Sequence, residues 1–407
     1  MTTPSLTPRR GAAWDVFLAF LWLGLTAFGG PIAHLGYFRR AFVDKRQWLT
    51  EEDYADIVAL CQFLPGPASS QTGFLIGWRR AGGLGALAAW TGFTLPSAAL
   101  MTGFALLAPR LSDPLALAFI HGLKLVAVAV VAQAVWSMAT RLCTDRRRTA
   151  IALSAFAVIL LMPSVYAQLG AIVAGAMLGL VLCRDTRPSQ TPSTHPPLRR
   201  RAGLAAAIVF TALLIGLPMA VQFSPGHTPW ALADIFYRAG TLVFGGGHVV
   251  LPVLRQALVP AGWIRDDAFL AGYGAAQAMP GPLFTFAAFL GGAVSPNWGL
   301  IPTASLCLAA IFLPGLLLVL AVYPFWAHLR SNRPAQAALT GVNAAVVGIL
   351  GAALYTPVAT SAIVRPGDMA IAVAGFVMLQ KWQAPPLTIV GACVAASILL
   401  HLAGLEP

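Results

Sequence analysis

Residues 61–67 read CQFLPGP, and residues 276–282 read AQAMPGP. Each Pro-Gly-Pro lies inside an otherwise apolar run, where proline removes a backbone donor and its ring clashes with the preceding turn. We therefore predict two broken helices, one at Pro65-Gly66-Pro67 (the first break) and one at Pro280-Gly281-Pro282 (the second break). One such motif alone is most simply a loop between two short helices. Two of them at equivalent positions of repeated halves indicate a binding site at the middle of a membrane.

The two breaks belong to an internal repeat. Phe28-Gly-Gly-Pro31 matches Phe244-Gly-Gly-Gly247, and Trp48-Leu-Thr-Glu-Glu52 matches Trp263-Ile-Arg-Asp-Asp267. Both matches occur in the same order as the breaks, at an offset near 215 residues. Apolar bias alone does not produce ordered matches of this kind, so the chain consists of two related halves.

The composition excludes a soluble protein. Of 407 residues, 58% are apolar and only 10% are charged, whereas soluble globular domains carry about 25% charged residues. The mean hydropathy is +0.76, so the bilayer must be the solvent for most of the chain. The chain is basic, with 26 Lys and Arg against 14 Asp and Glu. Most of the arginines fall between apolar runs, which indicates membrane orientation and argues against nucleic-acid binding.

The expected fold is an all-α polytopic membrane protein with two homologous, inverted-topology repeats whose helices break at Pro-Gly-Pro. Apolar runs suggest about 13 spans, within a range of 10 to 13. We assign residues 12–183 to the first repeat, 184–202 to a basic linker rich in Pro, Ser and Thr, 203–222 to an unpaired linker span and 228–403 to the second repeat. Six crossings plus the unpaired span make an odd number, so the second repeat is inverted relative to the first.

The distribution of basic residues gives an independent orientation. With the N-terminus in the cytoplasm, 18 of the 26 Lys and Arg lie inside and two, Lys124 and Arg238, lie within spans. The six outside are Arg39, Arg40, Lys45, Arg46, Arg110 and Arg365. This bias supports the topology. The segment 32–47 carries four of the six exceptions, and whether it is a re-entrant or an interfacial helix is left open.

The residues around the breaks suit an anion. Tandem glycines let unwound backbone approach a ligand and expose amides to it, although close helix packing through small residues is an alternative. The N-termini of four half-helices near a pseudo-twofold axis would attract negative charge. The predicted substrate-binding or gating residues are Gly29, Gly30, Pro31, Gln62, Pro65, Gly66, Pro67, Lys124, Gly245, Gly246, Gly247, Gln277, Pro280, Gly281 and Pro282.

Two kinds of polar side chain in this set have alternative interpretations. Lys124 lies about ten residues inside its apolar run, where an ionisable group is costly and usually functional; snorkelling is the alternative. Gln62 and Gln277 each precede a break by three residues and either donate to an oxyanion or hold the freed backbone. His34 and His248 do not align with each other, and we interpret them as structural or interfacial.

The doubled pattern of FGGP with CQFLPGP, then FGGGH with AQAMPGP, together with GFTLP at residues 92–96, resembles the chromate ion transporter family of bacterial inner-membrane proteins. The resemblance covers most of the chain and implies a long-chain member with two fused domains. It implies a multi-pass inner-membrane protein, with lipid and chromate or a similar small oxyanion as its partners, that exports chromate and confers chromate resistance. Whether it forms a homodimer is left open.

The energetics agree with export. A dianion leaving a negative cytoplasm gains about 4.6 kcal/mol per 100 mV, whereas uptake would need several coupled cations. We therefore expect alternating access driven by the membrane potential, with proton coupling left open. No metal cluster, phosphate loop or nucleophile elbow is found in the sequence, so neither an enzyme nor a cofactor is expected. The alternatives are a transporter or channel for sulfate or another oxyanion, and a membrane-embedded chromate reductase.

Overall fold

The computed structural model describes residues 12–28, 30–108, 114–162, 164–183, 198–223, 226, 228–244, 247–294 and 299–403. Every element in these ranges is helical, as expected for an all-α membrane protein. Five helices are long and apolar enough to cross a membrane by length and composition: Ala68–Leu107, Pro114–Leu142, Arg200–Phe223, Leu300–Leu329 and Arg333–Ala362. The total number of spans stays a prediction, because several other apolar helices are shorter.

The first repeat contains seven helices. They are α1 (Ala12–Thr26), α2 (Gly30–Arg39, continued by a π-helical turn Arg40–Lys45), α3 (Glu51–Phe63), α4 (Ala68–Leu107), α5 (Pro114–Leu142), α6 (Arg146–Leu161) and α7 (Val165–Leu182). The start of α3 shows why these boundaries form. The Thr50 hydroxyl accepts a hydrogen bond from the Asp53 amide at 3.2 Å. Three acidic residues occupy the first turn, where their negative charge interacts favourably with the helix dipole.

The second repeat has the same order of elements after one additional helix, α8 (Arg200–Phe223). The remaining helices are α9 (Pro229–Thr241), α10 (Val250–Leu258), α11 (Asp266–Ala278), α12 (Phe286–Val294), α13 (Leu300–Val322), α14 (Trp326–Ser331), α15 (Arg333–Ala353), α16 (Thr360–Ala362), α17 (Pro366–Gln380) and α18 (Pro386–Leu402). Helices α9, α10 and α11 occupy the positions of α1, α2 and α3. Ala81 and Gly82 have non-helical φ/ψ and divide α4 into two arms. The first arm corresponds to α12 and the second arm to α13.

Two ends of the helix bundle can be defined from polar contacts. At the Asp53 end, Asp53 pairs with Arg79 at 3.0 Å, and the Trp326 indole donates to Asp56 at 3.0 Å. At the Asp266 end, Asp266 pairs with Arg255 at 2.6 Å and accepts from the Ser361 hydroxyl at 2.8 Å. The stretch Arg333–Ala362 starts beside α14 and ends at Ser361. Helix α15 alone has 21 residues, about 30 Å at 1.5 Å per residue, and the kinked segment after it continues to the Asp266 end.

Helical hairpins reach the middle of the bundle from both ends. Helix α1 has 15 residues, which at 1.5 Å per residue is about 22 Å and too short for a 30 Å hydrocarbon core. The chain then turns back, and the Phe20 ring contacts those of Phe38 and Phe42 at 5.4 and 4.8 Å. Residues 12–80 thus enter and leave at the Asp53 end, whereas residues 229–294 do so at the Asp266 end. The two hairpin units therefore enter the bundle from opposite ends.

This geometry corrects the predicted sides of several basic residues. Arg46 and Arg80 both stack on Trp48, at 5.4 and 5.0 Å from the ring centroid, so residues 39–46 lie at the same end as Arg80 and not opposite it. Arg255 and Arg265 lie at the other end, beside Asp266 and Asp267. The prediction was wrong because it treated residues 14–30 as a complete crossing. Segment 32–47 is instead the return arm of a hairpin.

The last helices of each repeat pack on the other repeat through small residues. Gly179 of α7 lies against Gly341 of α15, and Gly122 of α5 lies against Val394 of α18. Gly122 and Gly341 occupy equivalent positions of α5 and α15, so the exchange is reciprocal. Close contact through glycine is the usual way in which helices associate in lipid, where hydrophobicity contributes little.

We expect Gly179→Val to destabilise this contact. A Cβ at Gly179 would meet the Ala337 carbonyl oxygen and, at 2.9 Å, the Gly341 Cα, both backbone atoms that cannot rotate away. Overpacking of this kind costs roughly 1–3 kcal/mol or more. The thermal unfolding temperature of the detergent-purified protein should fall by several degrees. Gly170→Val on the same helix, where nothing lies within 4 Å, should leave it unchanged; equal shifts would contradict the packing argument.

Candidate functional site

Each break makes a backbone hydrogen bond to the other repeat, and the two bonds are reciprocal. The Gly66 amide of the first break donates to the Val243 carbonyl at 2.7 Å, and the Gly281 amide of the second break donates to the Ala27 carbonyl at 2.8 Å. Ala27 and Val243 are equivalent residues, each immediately before the Phe-Gly-Gly motif of its repeat. The backbone freed by each break is therefore satisfied by the tandem-glycine segment of the other repeat.

Both break glycines need a backbone that other residues rarely adopt, with φ of +122° at Gly66 and +91° at Gly281. Side chains hold each break in place. Gln71 donates from Nε2 to the carbonyls of Pro65 and Gly315, at 2.9 Å each. Thr285 donates to the Pro282 carbonyl at 2.8 Å and shares a 2.5 Å hydrogen bond with Ser97. The Gln71–Gly315 and Ser97–Thr285 hydrogen bonds again join one break to the other repeat.

Sequence reasoning missed these four residues, although two signals were present. The run Ser69-Ser70-Gln71-Thr72 places four polar residues in succession at the start of an apolar helix. Leu95-Pro96 and Leu313-Pro314 are a further match between the repeats, and Ser97 and Gly315 directly follow them. The sequence does not show which residues of one repeat lie against the break of the other repeat.

Several helices end or begin beside the breaks and the tandem-glycine segments. Helices α3 and α11 end at a break, where the first arm of α4 and the segment leading into α12 begin, whereas α1 and α9 end at a tandem-glycine segment, after which α2 and α10 begin. The starts present backbone amides without intrahelical acceptors and therefore carry partial positive charge. Such helix starts are suited to binding an anion.

The predicted glycines and glutamines lie in different surroundings in the structure. Gly30 starts α2 with φ of +75°, and Gly247 starts a short 3₁₀ helix. Gln62 is exposed, and Gln277 lies beside the Tyr273 hydroxyl with its Nε2 buried. Among the described residues the break backbone is held by Gln71 and Thr285 rather than by these glutamines. Three predicted residues, Gly29, Gly245 and Gly246, lie outside the described ranges.

Pro31 and Pro252 are placed in the return arms of their hairpins. Pro31 lies in the first turn of α2 and is partly exposed, whereas Pro252 is buried near the start of α10. Proline is well tolerated in the first turn of a helix, because its missing amide has no intrahelical acceptor there. These residues shape the turn-back of the chain at each tandem-glycine segment.

A cavity of about 960 Å³ opens near the Asp266 end and reaches Lys124. Lys124 Nζ forms an ion pair with Asp267 Oδ1; the two side chains are 13% and 55% exposed. The pair joins α5 of the first repeat to α11 of the second. The charge of Lys124 therefore has an acidic partner in this conformation.

Further charged groups surround this cavity, which we call the vestibule. His121 Nε2 lies 2.9 Å from Asp368 Oδ1, and that carboxylate also accepts from the amides of Val364 and Arg365 at 3.0 Å. The Arg265 side chain is 86% exposed and is 3.5 Å from Asp267. Ion pairs that join different helices around a water-accessible cavity are suited to receiving a charged solute and to gating. Arg238, by contrast, is held within α9 by Asp234.

Broken helices from two inverted repeats, helix N-termini at the middle and a charged vestibule define the class of protein. They are the features of a multi-pass membrane transporter for a small anion.

Comparison with known proteins gives the family. The chain matches the family described as "Chromate transporter" in two parts, residues 14–180 and 230–398. It is 29% identical to a chromate transport protein of Pseudomonas aeruginosa, over 94% of this chain and 90% of that protein. It is 26% identical to a chromate transport protein of Cupriavidus metallidurans, over 98% and 96% of the two chains. No solved structure matches. The protein belongs to the chromate transporter family, a family of transporters and not a class of enzymes.

Proposed function

We propose that this protein exports chromate across the bacterial inner membrane by alternating access and thereby confers chromate resistance. The observation that supports it best is the reciprocal contact of each break with the other repeat, Gly66 to Val243 and Gly281 to Ala27, beside helix N-termini of both repeats. Chromate is a tetrahedral dianion, and helix N-termini bind such groups. The relatives named as chromate transport proteins make chromate the first substrate to test.

The orientation that we propose puts the Asp53 end in the cytoplasm. Among the described residues, the Lys and Arg at the Asp266 end are Arg255, Arg265 and Arg365. Those at the Asp53 end are Arg39, Arg40, Lys45, Arg46, Arg79, Arg80, Arg141, Arg146, Arg147, Arg148, Arg199, Arg200, Arg201, Arg330, Arg333 and Lys381. Cytoplasmic loops carry the excess of basic residues. The vestibule would then open to the outside, and α1 would start from the cytoplasm.

The membrane potential is sufficient to drive export. Moving one charge through 100 mV is worth about 2.3 kcal/mol, so a dianion gains about 4.6 kcal/mol, which supports roughly a thousandfold gradient. In the cycle that we propose, the dianion reaches the middle from the Asp53 end. The contacts between the breaks then open and reform, and the anion leaves through the vestibule past Lys124. Export of this kind needs no coupled ion.

Inside-out vesicles provide the test. Wild-type protein should accumulate chromate in energised vesicles with a rate that saturates with chromate concentration. Collapse of the potential with a potassium ionophore and equal potassium on both sides should remove the accumulation, and collapse of the pH gradient alone should not. Vesicles without the protein are the control. Accumulation that survives loss of the potential but not of the pH gradient would favour proton coupling. A rate that rises linearly with concentration would favour a channel.

Sulfate is the second candidate substrate, because its charge and tetrahedral shape are those of chromate. Sulfate should compete with chromate in the same vesicles. An inhibition constant for sulfate well below the KM for chromate would reassign the main substrate without changing the mechanism.

A further inference from the structure

The first arm of α4 starts at the first break with an uncapped N-terminus. Among the described residues, no side chain caps this end, and its first-turn residues Ala68, Ser69 and Ser70 have amides with no acceptor inside the helix. Ser69 and Ser70 are only 3% and 2% exposed. An uncapped helix start in a buried place leaves donors that need an acceptor.

Unpartnered side chains lie at the same place. Ser70 Oγ makes no hydrogen bond to any described residue, and neither does Nε2 of His34 on α2, a residue that is 1% exposed. His34 Nδ1 lies 3.5 Å from Ser69 Oγ, which brings the imidazole to the first turn of α4. The ring also lies near the Ala27 carbonyl, outside hydrogen-bonding geometry for Nε2. A buried polar group without a partner costs about 1–3 kcal/mol, so two at one site are hard to explain as packing.

The second break does not repeat this arrangement. The residues equivalent to His34 and Ser69 are Val250 and Phe284, and the Phe284 ring packs on Phe312 at 5.5 Å between centroids. Thr285, the equivalent of Ser70, is satisfied by Ser97 and by the Pro282 carbonyl. At the positions equivalent to Ser69 and Ser70, the second break therefore holds an aromatic ring and a satisfied threonine. Its one buried donor without a described partner is Nε2 of Gln277, which precedes the break.

We propose that His34, Ser69 and Ser70, with the first-turn amides of α4, form the binding site for one tetrahedral oxyanion. We call these three residues the first-break cluster. The tautomer in which Ser69 donates to His34 Nδ1 leaves the proton on Nε2, so the imidazole, the Ser70 hydroxyl and the amides all donate toward the anion. The proposal rests on the proposed function, since it identifies where the transported oxyanion is held.

The chemistry of the cluster defines the ligand class. All of the donors are neutral N–H and O–H groups, so the site recognises oxygen acceptors arranged around a centre, as in chromate or sulfate, and discriminates against chloride. Because both unpartnered groups are buried, the anion reaches them only when the helices around the first break move apart.

Binding can be tested without transport. Purified wild-type protein should be stabilised against thermal unfolding by sodium chromate or sodium sulfate, relative to sodium chloride at equal ionic strength. Ser70→Ala should remove most of this stabilisation and raise the KM for chromate in vesicles at least fivefold. A merely structural Ser70 predicts the opposite, because removal of an unpaired buried hydroxyl should leave the protein as stable or more stable and leave the KM unchanged.

Thr303→Ala is the control. It removes a buried hydroxyl that donates to the Gly299 carbonyl at 2.9 Å, outside both breaks and the vestibule, so oxyanion stabilisation and KM should stay at wild-type values. His34→Gln, which keeps a donor, should lose less of the stabilisation than His34→Ala. Equal effects of Ser70→Ala and Thr303→Ala, or no oxyanion stabilisation of the wild type, would overturn the site. If sulfate stabilises the wild type but chromate is not transported, the proposed substrate fails and the site stands.

Discussion

Gly66→Ala should reduce chromate accumulation in inside-out vesicles to the level of vesicles without the protein. Gly66 has φ of +122°, a conformation that costs a residue with a Cβ roughly 1–3 kcal/mol. The added Cβ would also lie 2.7 Å from Gln71 Nε2 and 3.0 Å from the Gly315 Cα. Relief of these contacts requires the break to move, and the 2.7 Å bond from the Gly66 amide to the Val243 carbonyl would be lost with it.

Two further variants separate this effect from general glycine strain. Gly226→Ala imposes similar strain, since φ there is +106°, but nothing lies within 4 Å of its Cβ; it should transport at close to the wild-type rate. Gly281→Ala should be intermediate, because its nearest neighbour, the Phe93 carbonyl oxygen, is 3.1 Å away. Each rate is divided by the amount of protein in the membrane, measured by immunoblot. A Gly66→Ala protein that transports normally at wild-type levels would rule out a role for the reciprocal contact.

The motif pair predicts a repeat, at which the two-part family match hints, and two places where helices end. A single proline does not always break a helix, since Pro96, Pro218 and Pro314 lie inside α4, α8 and α13. Pro-Gly-Pro combines two prolines with a glycine of unrestricted backbone, so Pro65 and Pro280 carry that information locally.

The reciprocal bonds were not predictable, because Ala27 and Val243 contribute only their backbone carbonyls. Every residue has a backbone carbonyl, so the sequence does not indicate which ones accept these bonds. A sequence can therefore show that backbone is freed at a break without showing what satisfies it.

The hairpins illustrate a second limit. The run from residue 14 to residue 30 is apolar enough to resemble a crossing, but α1 ends at Thr26 and the chain turns back at the tandem glycines. A hydropathy profile measures the length and apolar content of a run. It does not show that the chain reverses direction within the membrane. The four basic residues between Arg39 and Arg46 indicated this error, because the predicted topology put them on the side that carries few basic residues. In the structure they lie with Arg80 at Trp48, and the bias becomes stronger.

Lys124 was predicted from its cost in lipid, but its partner was not. Asp267 is far away in sequence and lies at the start of its apolar run, so nothing local indicates that it meets α5. The inverted fold brings it there, because α11 enters the bundle from the same end as the start of α5. The pairing changes the hypothesis: an anion that arrives at Lys124 must compete with Asp267.

This competition gives the second large expected effect. Lys124→Gln should raise the KM for chromate about tenfold, because the vestibule loses its buried cation and keeps the Asp267 carboxylate, which repels a dianion. A tenfold change corresponds to about 1.4 kcal/mol, well within the range for a partly buried charge. Asp267→Asn should act in the opposite direction and lower the KM, because Lys124 then lacks its internal counter-ion and attracts the substrate more strongly.

The double variant decides whether the two residues act as a pair. If they do, Lys124→Gln combined with Asp267→Asn should have a KM between those of the single variants, since both the attraction and the repulsion are gone. The coupling energy follows from the four KM values. Arg265→Gln is the control, because its side chain is 86% exposed and its contact with Asp267 is 3.5 Å, so its effect should be small. If Lys124→Gln retains the wild-type KM and rate, the lysine has a structural role only, and the anion passes through the vestibule without meeting it.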